Sequence, residues 1–560
     1  MKRLDNRSNG IIENGSNDLI SNPILGFIGK IFPFLFILVF LGIYIYKPLY
    51  LIFAFPEYTH PGNSTDKFEW LIAQIVITSI SICFMVVSGS VILNEKTDIK
   101  NRKIEIIFVS SLILSVFVII FINELSLFTD IVTFDNAYVR GGAYGMIEKG
   151  AISDNIQMYL SQWTNNRGIV LFLGFLGYIA KIINIPYRVL WILMDSLMIT
   201  SSILFVYLTV KMFCNRRLSL ILLILSSGFL VFSSCVTPLT NTGGDWYMLY
   251  TDSTSMFFTT ISTYFFVRFF LENKNDQKRY LLLSFGSIAS AMGAVFKPTA
   301  LIILLAFFPV LLLNRMSKAK IKEHLKSVLK HMTLVVLSVC LIITSFEIVY
   351  DHFETITDPQ RSTGLLSHMF ILGMLNTGQN INHDGVMVID DPPSLNPFQD
   401  RGRWNYAESE FPKAEVIKER IKQQNIALVG FYYLKDVNNL SFTYEPSVKE
   451  LLVSYHPESY YKTPFLEEWK TVLLDNQIFV RAVLWNIILF GIGIWAYIIL
   501  KKKTKFFPLE LFLSIAMLGV FIYLTFFESG DRYVMQFWPL FLVVSGLGFM
   551  RLEKKLKIVR

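Results

Sequence analysis

The sequence predicts an all-α polytopic membrane protein with about twelve transmembrane helices, an interfacial helix and a small external loop subdomain. Of its 560 residues, 53% are hydrophobic and 17% are charged, and the mean hydropathy is +0.49. A soluble domain carries roughly a quarter charged residues, so a soluble fold is excluded. The second observation is the recurrence of apolar stretches of about 20 residues, the length at which a helix crosses a bilayer.

These apolar stretches occupy most of the chain. A polar stretch precedes the first of them and no small-residue cleavage site follows it, so we expect it to remain as a membrane anchor. The predicted spans lie near 24–50, 71–93, 104–128, 188–213, 217–236, 254–272, 279–296, 298–314, 330–350, 478–500, 507–528 and 534–550.

The distribution of Lys and Arg predicts the orientation. They concentrate in short loops and at the C terminus, and such loops remain in the cytoplasm. All these loops fall on one side if residues 168–185 form an interfacial or re-entrant helix. The alternative is a thirteenth span, which places Arg216 and Arg217 outside. We predict a multi-pass cell-membrane protein with both termini cytoplasmic. The net charge of +8 then serves orientation and predicts no nucleic-acid partner.

With this orientation, the two long hydrophilic segments, 129–167 and 351–477, share the external face. The longer one alternates Pro- and Asn-rich turns with helical patterns, which indicates a small folded unit. The predicted organisation is a cytoplasmic N terminus at 1–23, a transmembrane module at 24–350 with an external loop at 129–187, an external loop subdomain at 351–477, C-terminal transmembrane helices at 478–550 and a cytoplasmic tail at 551–560.

Several enzyme classes lack their signatures in this chain. The sequence has no GxxxxGK[ST] phosphate loop, no GxGxxG after a strand, no HExxH, no GxSxG and no DxD. The four cysteines have neither metal-ligand nor disulfide-framework spacing. We therefore expect no metal site and no cofactor.

Ionisable residues recur at the predicted outer ends of the spans, where a charge beside hydrocarbon is costly. Taken singly, each fits an ion pair at a helix end, but together they form a candidate site. A carboxylate there can act as general base, and cations can hold an anionic leaving group such as a phosphate. The principal members are Asp130, Asp135, Asp252, Glu528, Lys297, Arg481 and Arg532.

Five short motifs follow one another on this face: FDNAYV at 134–139, QWTNNRG at 162–168, YTDS at 250–253, VFKPT at 295–299 and ESGDRY at 528–533, the last followed by FWP at 537–539. In this order they resemble the GT-C superfamily of glycosyltransferases, the multi-span group of protein O-mannosyltransferases and lipid A aminoarabinose transferases, and its Gram-positive branch in particular. Thr164 stands where those relatives have a proline, and two spans lie upstream of the span that leads into the acidic loop, where many members have one.

The resemblance implies a hexosyltransferase that moves a sugar from a polyprenyl-phosphate donor, such as undecaprenyl phosphate, to a wall polymer. That acceptor would be a teichoic acid or a polysaccharide, and transfer at the external face would invert the anomeric carbon without a metal. The implied base is Asp135, with Asp130 and the weaker Asp154 as competitors. The implied phosphate ligands are Lys297, Arg532 and Arg481, and the implied substrate-orienting residues are Tyr250, Asp252, Asn165, Asn166 and Glu528.

Alternatives remain open for individual residues and for the whole chain. Asp252 and Asp154 are each also suited to be the N-cap of the helix that follows. A secondary transporter of an anionic substrate has a similar number of spans, but its ionisable residues should gather near the bilayer midplane. A catalytically inactive scaffold is the third possibility, and in that case Asp135 would be dispensable.

Overall fold

The protein is a bundle of long helices. The computed structural model describes residues 23–46, 76, 78–83, 102–127, 134–240, 251–272, 276–314, 321–353, 379–381, 387–389, 464–501, 507–527 and 531–559, with scattered helical residues within 418–440. A π-helical turn, Gly42–Tyr46, extends α1, and 3-10 turns lie at Thr164–Asn166 and Pro298–Ala300. The helices are α1 Pro23–Leu41, α2 Arg102–Leu127, α3 Phe134–Lys149, α4 Asp154–Gln162, α5 Arg167–Ile182, α6 Tyr187–Val210, α7 Arg216–Thr240, α8 Thr251–Leu271, α9 Asp276–Phe296, α10 Leu301–Asn314, α11 Ile321–Asp351, α12 Pro464–Lys501, α13 Pro508–Phe526, α14 Asp531–Met535 and α15 Trp538–Val559.

The all-helical membrane fold is confirmed. Seven helices of the described residues are long and apolar enough to cross a membrane, and they coincide with seven of the predicted spans. The predicted spans at 217–236, 254–272, 298–314 and 534–550 are also helical. The two described strands, β1 Gln379–Ile381 and β2 Met387–Ile389, form one antiparallel hairpin in the predicted external loop. The seven helices long and apolar enough to cross a membrane are Gly26–Ile45, Lys103–Ile122, Tyr187–Val210, Gln277–Phe296, Val328–Asp351, Val480–Lys501 and Pro508–Phe526.

Ion pairs at one end of the bundle agree with the prediction that α5 does not cross the membrane. Glu105, in the first turn of α2, pairs with Lys211 at 2.5 Å and with Arg216 at 2.6 Å. The start of α2 and the end of α6 therefore lie on the same side. One crossing by α2 and one by α6 account for this, without a crossing by α5. The 16 residues of α5 span about 24 Å, which is shorter than the hydrocarbon core. We call the side of this ion pair the Glu105 end of the bundle.

Other contacts at the Glu105 end join loops that the sequence predicts to be cytoplasmic. The Asn215 side-chain amide donates to both carboxylate oxygens of Glu553 at 2.6 Å, and Arg551 pairs with Glu510. Burial lowers the pKa of Arg551 to about 10, because the guanidinium loses hydration there. The helix ends that the sequence predicts to share the cytoplasmic side are therefore also the ends that contact one another in the structure.

Two clusters of buried apolar side chains make up the core. The larger one follows the membrane-spanning helices, and in it Trp485 stacks on Phe229 with ring centres 5.4 Å apart. The smaller cluster lies under α3, α4 and α5 and extends to Trp191 of α6 and Phe296 of α9. This second cluster fixes the short helices that carry two of the five motifs onto the rest of the bundle.

Part of the predicted external loop subdomain packs on the bundle. The Tyr433 hydroxyl donates to the Leu38 carbonyl at 2.9 Å, and the Thr525 hydroxyl donates to the Asp436 carboxylate at 2.8 Å. Helix α12 begins at Pro464, inside the segment assigned to the loop. Its 38 residues span about 57 Å, so its N-terminal part extends well beyond a bilayer core.

The start of α4 corrects one predicted N-cap. Asp154 is the first helical residue, and Ser153 is the N-cap, with extended backbone angles of φ −68° and ψ 150°. The Ser153 carbonyl accepts the amides of Ile156 and Gln157 at 2.9 Å, which begins the helix one residue earlier than expected. Helix α8 begins at Thr251, so Asp252 lies in its first turn.

We expect the crossing of α12 and α15 to tolerate no side chain at Gly548. A Cβ there would overlap the carbonyl oxygen of Gly491 and come within 3.1 Å of the Trp495 amide nitrogen, and backbone atoms cannot rotate away. Gly548→Ala should lower the free energy of unfolding by about 1–3 kcal/mol, the usual cost of overpacking. The measurement is the denaturation midpoint of the detergent-solubilised protein.

Gly493→Ala is the matched control on α12. A Cβ there would meet only the Phe40 ring at 3.4 Å, which is ordinary contact. This variant should be as stable as the wild type or gain up to about 1 kcal/mol from helix propensity. Equal destabilisation by both alanines would contradict the close crossing.

Candidate functional site

A buried ion pair lies at the end of the bundle opposite Glu105. The Asp252 carboxylate accepts a hydrogen bond from the Lys297 ammonium group, and the two side chains are 3% and 8% exposed. We call this side the Lys297 end. Asp252 lies in the first turn of α8, and Lys297 follows the last residue of α9, so the antiparallel packing of these two helices brings the YTDS and VFKPT motifs together.

The local sequence explains the position of Lys297. Pro298 disfavours helical backbone at the residue before it, so α9 ends at Phe296 and Lys297 is extended, with φ −153° and ψ 113°. Its amide still donates to the Gly293 carbonyl at 2.8 Å, which keeps the turn close to the helix axis. The side chain leaves the helix end sideways and reaches the first turn of α8.

The third motif segment at the pair is ESGDRY. The Lys297 ammonium nitrogen lies 4.1 Å from the centre of the Tyr533 ring, which belongs to α14. An aromatic face attracts a cation, most strongly where water is excluded. Tyr533 thus covers the lysine head group from the side of α14.

Gln536 joins the three segments by hydrogen bonds. It is fully buried, its amide nitrogen donates to the Ser255 hydroxyl at 2.7 Å, and its amide oxygen accepts from the Thr299 hydroxyl at 2.7 Å. Each bond reaches a different motif segment, one on α8 and one on the Lys297 turn. We refer to Gln536 and these two hydroxyls as the Gln536 clasp.

The electrostatics of this region depend on pairing. An unpaired charge with so little exposure would lose most of its hydration, whereas an adjacent opposite charge compensates for part of that loss. The positive end of the α8 dipole adds to the attraction for a carboxylate at Asp252. The pair as a whole is close to neutral, so it is compatible with burial near the membrane.

The predicted substrate-orienting residues Asn165 and Asn166 lie in the 3-10 turn before α5. Asn165 donates to the Asn166 side chain at 3.0 Å, and Asn166 donates to the Tyr159 hydroxyl at 2.6 Å. The Tyr159 ring stacks on Tyr138 with centres 4.3 Å apart. Because Tyr138 lies three residues after Asp135 on α3, the asparagines help to hold the helix that carries the predicted base.

Helix α5 also contacts the Lys297 turn. A Cβ at Gly168 would overlap the carbonyl oxygen of Val295, so only glycine permits this approach. The Phe296 ring packs against Phe172 of α5 and Phe258 of α8, each with ring centres 5.7 Å apart. The unit formed by α3, α4 and α5 therefore lies directly beside the Lys297 end.

Arg167 is a buried charge that the sequence prediction did not select. Its guanidinium pairs with Glu347 at 3.1 Å, donates to the Leu160 carbonyl at 3.0 Å and lies 4.5 Å from the centre of the Tyr350 ring. These contacts attach the start of α5 to the last turns of α11. The sequence feature that could have identified Arg167 as a candidate is its position in the QWTNNRG motif. Arg140 of α3 is buried as well, with 2% of its surface exposed.

Arg481, a predicted phosphate ligand, is buried on α12. It is 6% exposed and sits one turn before Trp485 on α12, whose ring packs on Phe229 and Phe541. The predicted role of Arg481 in phosphate binding stays a prediction.

Other predicted site residues fall partly or wholly outside the described residues. Asp130, Tyr250 and Glu528 are outside them. Of Asp135 and Arg532 the structure describes the helical backbone, at the second residue of α3 and of α14. Among the described residues there is no group of three or more His, Cys, Asp or Glu side chains that could hold a metal. The expected absence of a metal and of a cofactor stays a prediction.

Comparison with known protein families gives one decisive match. The family model described as conserved hypothetical integral membrane protein matches residues 22–551. The chain belongs to this family. Its classification as an integral membrane protein agrees with the seven apolar helices of the structure.

Two further comparisons add little to the family match. No curated protein matches the chain. Among solved structures it is similar to the archaeal oligosaccharyltransferase AglB from Archaeoglobus fulgidus in complex with an inhibitory peptide and a dolichol-phosphate, with 15% identity and a TM-score of 0.38. The match covers 80% of this chain and 51% of AglB, so the chain spans about half the length of that protein. A likeness this weak carries no argument about function.

We expect the Gln536 clasp to be measurable as an energetic coupling. Gln536→Leu removes the partner of the buried Ser255 hydroxyl and of the half-buried Thr299 hydroxyl and should cost about 1–3 kcal/mol of stability. In a double-mutant cycle, Gln536→Leu and Ser255→Ala should couple by at least about 0.5 kcal/mol, because they remove the same hydrogen bond.

Ser262→Ala is the control for this cycle. Ser262 is also a fully buried serine of α8, but its hydroxyl donates to the Gly286 carbonyl at 2.9 Å, away from Gln536. Its effect should add to that of Gln536→Leu without coupling. A cycle in which both serines couple equally, or neither does, would show that the clasp is absent.

Proposed function

We propose that this membrane protein is a GT-C-type glycosyltransferase that moves a sugar from a polyprenyl-phosphate donor to a surface polymer at the external membrane face. The observation that carries the proposal is the convergence of three motif segments on the buried Lys297, which a carboxylate and an aromatic ring contact. A membrane-embedded transferase needs such a cation where a lipid phosphate departs. The choice of a sugar linked to a polyprenyl phosphate as the donor rests on the motif resemblance.

In the proposed reaction the acceptor is a hydroxyl group of a wall polymer, such as a teichoic acid or a polysaccharide. Asp135 takes the hydroxyl proton as the oxygen attacks the anomeric carbon from the side opposite the phosphate. The new glycosidic bond forms while the bond between that carbon and the phosphate oxygen breaks, and the electron pair leaves with the phosphate. The product sugar has the inverted configuration, and the lipid phosphate remains as an anion.

The cations act on the departing phosphate. Lys297 is held near the expected leaving group by its turn and by Tyr533, so little reorganisation is required when negative charge develops. Arg532 directly precedes Tyr533 on α14 and is proposed as the second cation, with Arg481 as a third contributor. A guanidinium group binds phosphate through two parallel hydrogen bonds, which a lysine does not offer.

The ion pair of the proposed site lies at helix ends, which favours chemistry at a membrane face over transport through the membrane. Asp252 and Lys297 belong to the first turn of one helix and the residue after another, whereas a transporter is expected to gather its charges near the midplane. The loops rich in Lys and Arg lie at the Glu105 end, so the positive-inside rule favours an external location for the Lys297 end. The site therefore fits an extracellular acceptor better than a transported solute.

We expect Asp135→Asn to abolish sugar transfer while leaving the protein in the membrane. Removing a general base lowers the rate by about 10²–10⁴. The measurement is the sugar content of purified wall polymers from cells whose only copy carries the variant, with equal membrane levels verified. Lys297→Gln should give the same loss, and the missing sugar identifies the donor.

Glu148→Gln is the matched control, since Glu148 is an exposed carboxylate near the end of α3, the helix that carries Asp135. It should leave the polymer unchanged. If deleting the protein alters no wall polymer or glycoprotein, the transferase proposal fails and transport of an anionic substrate becomes the function to test. If deletion removes a sugar but Asp135→Asn does not, the base is another carboxylate, or the chain acts as a scaffold.

A further inference from the structure

We propose that Asp252 is a built-in counter-ion that occupies the anion position at Lys297 while the site is empty, and that a lipid phosphate binds by displacing it. The inference rests on the proposed function in taking a lipid phosphate as the ligand. It assigns Asp252 a role different from orienting the substrate, namely competition with the phosphate for one ammonium group. The same competition assists release of the lipid phosphate after transfer.

The first step of the argument is burial. Lys297 is 8% exposed in its side chain, and an ammonium group with so little access to water requires a nearby anion or it loses its charge. Asp252 supplies that anion in the ligand-free protein. A phosphate that approaches Lys297 therefore meets a cation that is already paired.

The second step is charge balance. Lys297 and Asp252 together carry no net charge, and a phosphate monoester brings about −1.5 to −2 charges at pH 7. The single positive charge of Arg532, the second proposed cation, neutralises only part of that, so a phosphate added to the intact pair would leave a surplus of negative charge in a poorly hydrated place. Like charges a few ångströms apart repel strongly there, since the effective dielectric is low. When the Asp252 carboxylate turns away from Lys297, the repulsion between the carboxylate and the phosphate decreases. The phosphate is then paired with the lysine.

The third step concerns which partner moves. Lys297 is held by its extended turn and by the Tyr533 ring, and the Gln536 clasp fixes the Lys297 turn to α8 and to the segment after α14. The described contact of the Asp252 side chain is with Lys297. Asp252 can therefore exchange partners by rotating its own side chain in the first turn of α8, without moving the helices.

A consequence follows for the catalytic cycle. The product of sugar transfer is a polyprenyl phosphate, an anion with affinity for the same lysine as the donor. A tethered carboxylate that returns to Lys297 competes at high local concentration with that product. Asp252 thus weakens lipid-phosphate binding in general and shortens the time for which the product remains bound.

The test is binding of undecaprenyl phosphate to the full-length protein in neutral phosphatidylcholine nanodiscs. Asp252→Asn should bind it at least tenfold more tightly than the wild type, because the competing anion is gone. Lys297→Gln should bind it more weakly, and the double variant should show no gain over Lys297→Gln. Undecaprenol, which lacks the phosphate, should bind all four proteins equally.

Glu347→Gln is the matched control, because it removes a carboxylate from another ion pair at the same end of the bundle. It should leave the affinity for undecaprenyl phosphate unchanged. Asp252→Ser serves as a second variant should Asp252→Asn unfold, since it removes the charge and keeps a polar group at the helix start. It should give the same gain.

Several binding results would contradict the inference. Equal or weaker binding by folded Asp252→Asn and Asp252→Ser overturns it, as does a gain that persists in the Lys297→Gln background or appears in Glu347→Gln. If affinity is unchanged while cells still transfer the sugar, the counter-ion role fails and the proposed function stands. If the gain through Lys297 is present but no sugar is transferred in cells, the counter-ion role stands and the transferase proposal fails.

Discussion

The cost of placing a charge away from water organises the Lys297 end of this bundle. Lys297 and Asp252 compensate each other, and α8, α9 and the segment between α14 and α15 must keep fixed relative positions for that contact to persist. The hydrogen bonds of Gln536 hold these segments together, and the Phe296 ring packs the end of α9 against α5. Elements distant in the chain are therefore coupled through one ion pair, and the short helices α3 to α5 are positioned against it.

The two ends of the bundle use buried charge in different ways. At the Glu105 end, one carboxylate is shared by Lys211 and Arg216, and these contacts join loops whose positions orient the protein. At the Lys297 end, the pair lies beside motif segments and a ring that faces the cation. The first arrangement is complete without a ligand. In the second, the proposed chemistry requires a phosphate to take the place of the carboxylate at the cation.

Much of the fold follows from the sequence, because a span of about 20 apolar residues is a direct signal, and Lys-rich loops indicate which helix ends share a side. The start of α12 at Pro464 did not follow, since its first turns are polar and resemble a loop helix. For the site, the motifs identified Asp252 and Lys297 but not their contact with each other. Gln536 and the Arg167 pair with Glu347 depend on helix packing, which no local pattern encodes.

The central claim is that Lys297 is the anion position of this protein and Asp252 its resident counter-ion. The most direct measurement is a cryo-electron microscopy structure of the full chain with undecaprenyl phosphate bound. The account predicts density for the phosphate within hydrogen-bond distance of the Lys297 ammonium group, with the Asp252 carboxylate turned away and the Gln536 clasp intact. A phosphate bound elsewhere while Asp252 and Lys297 remain paired would contradict it.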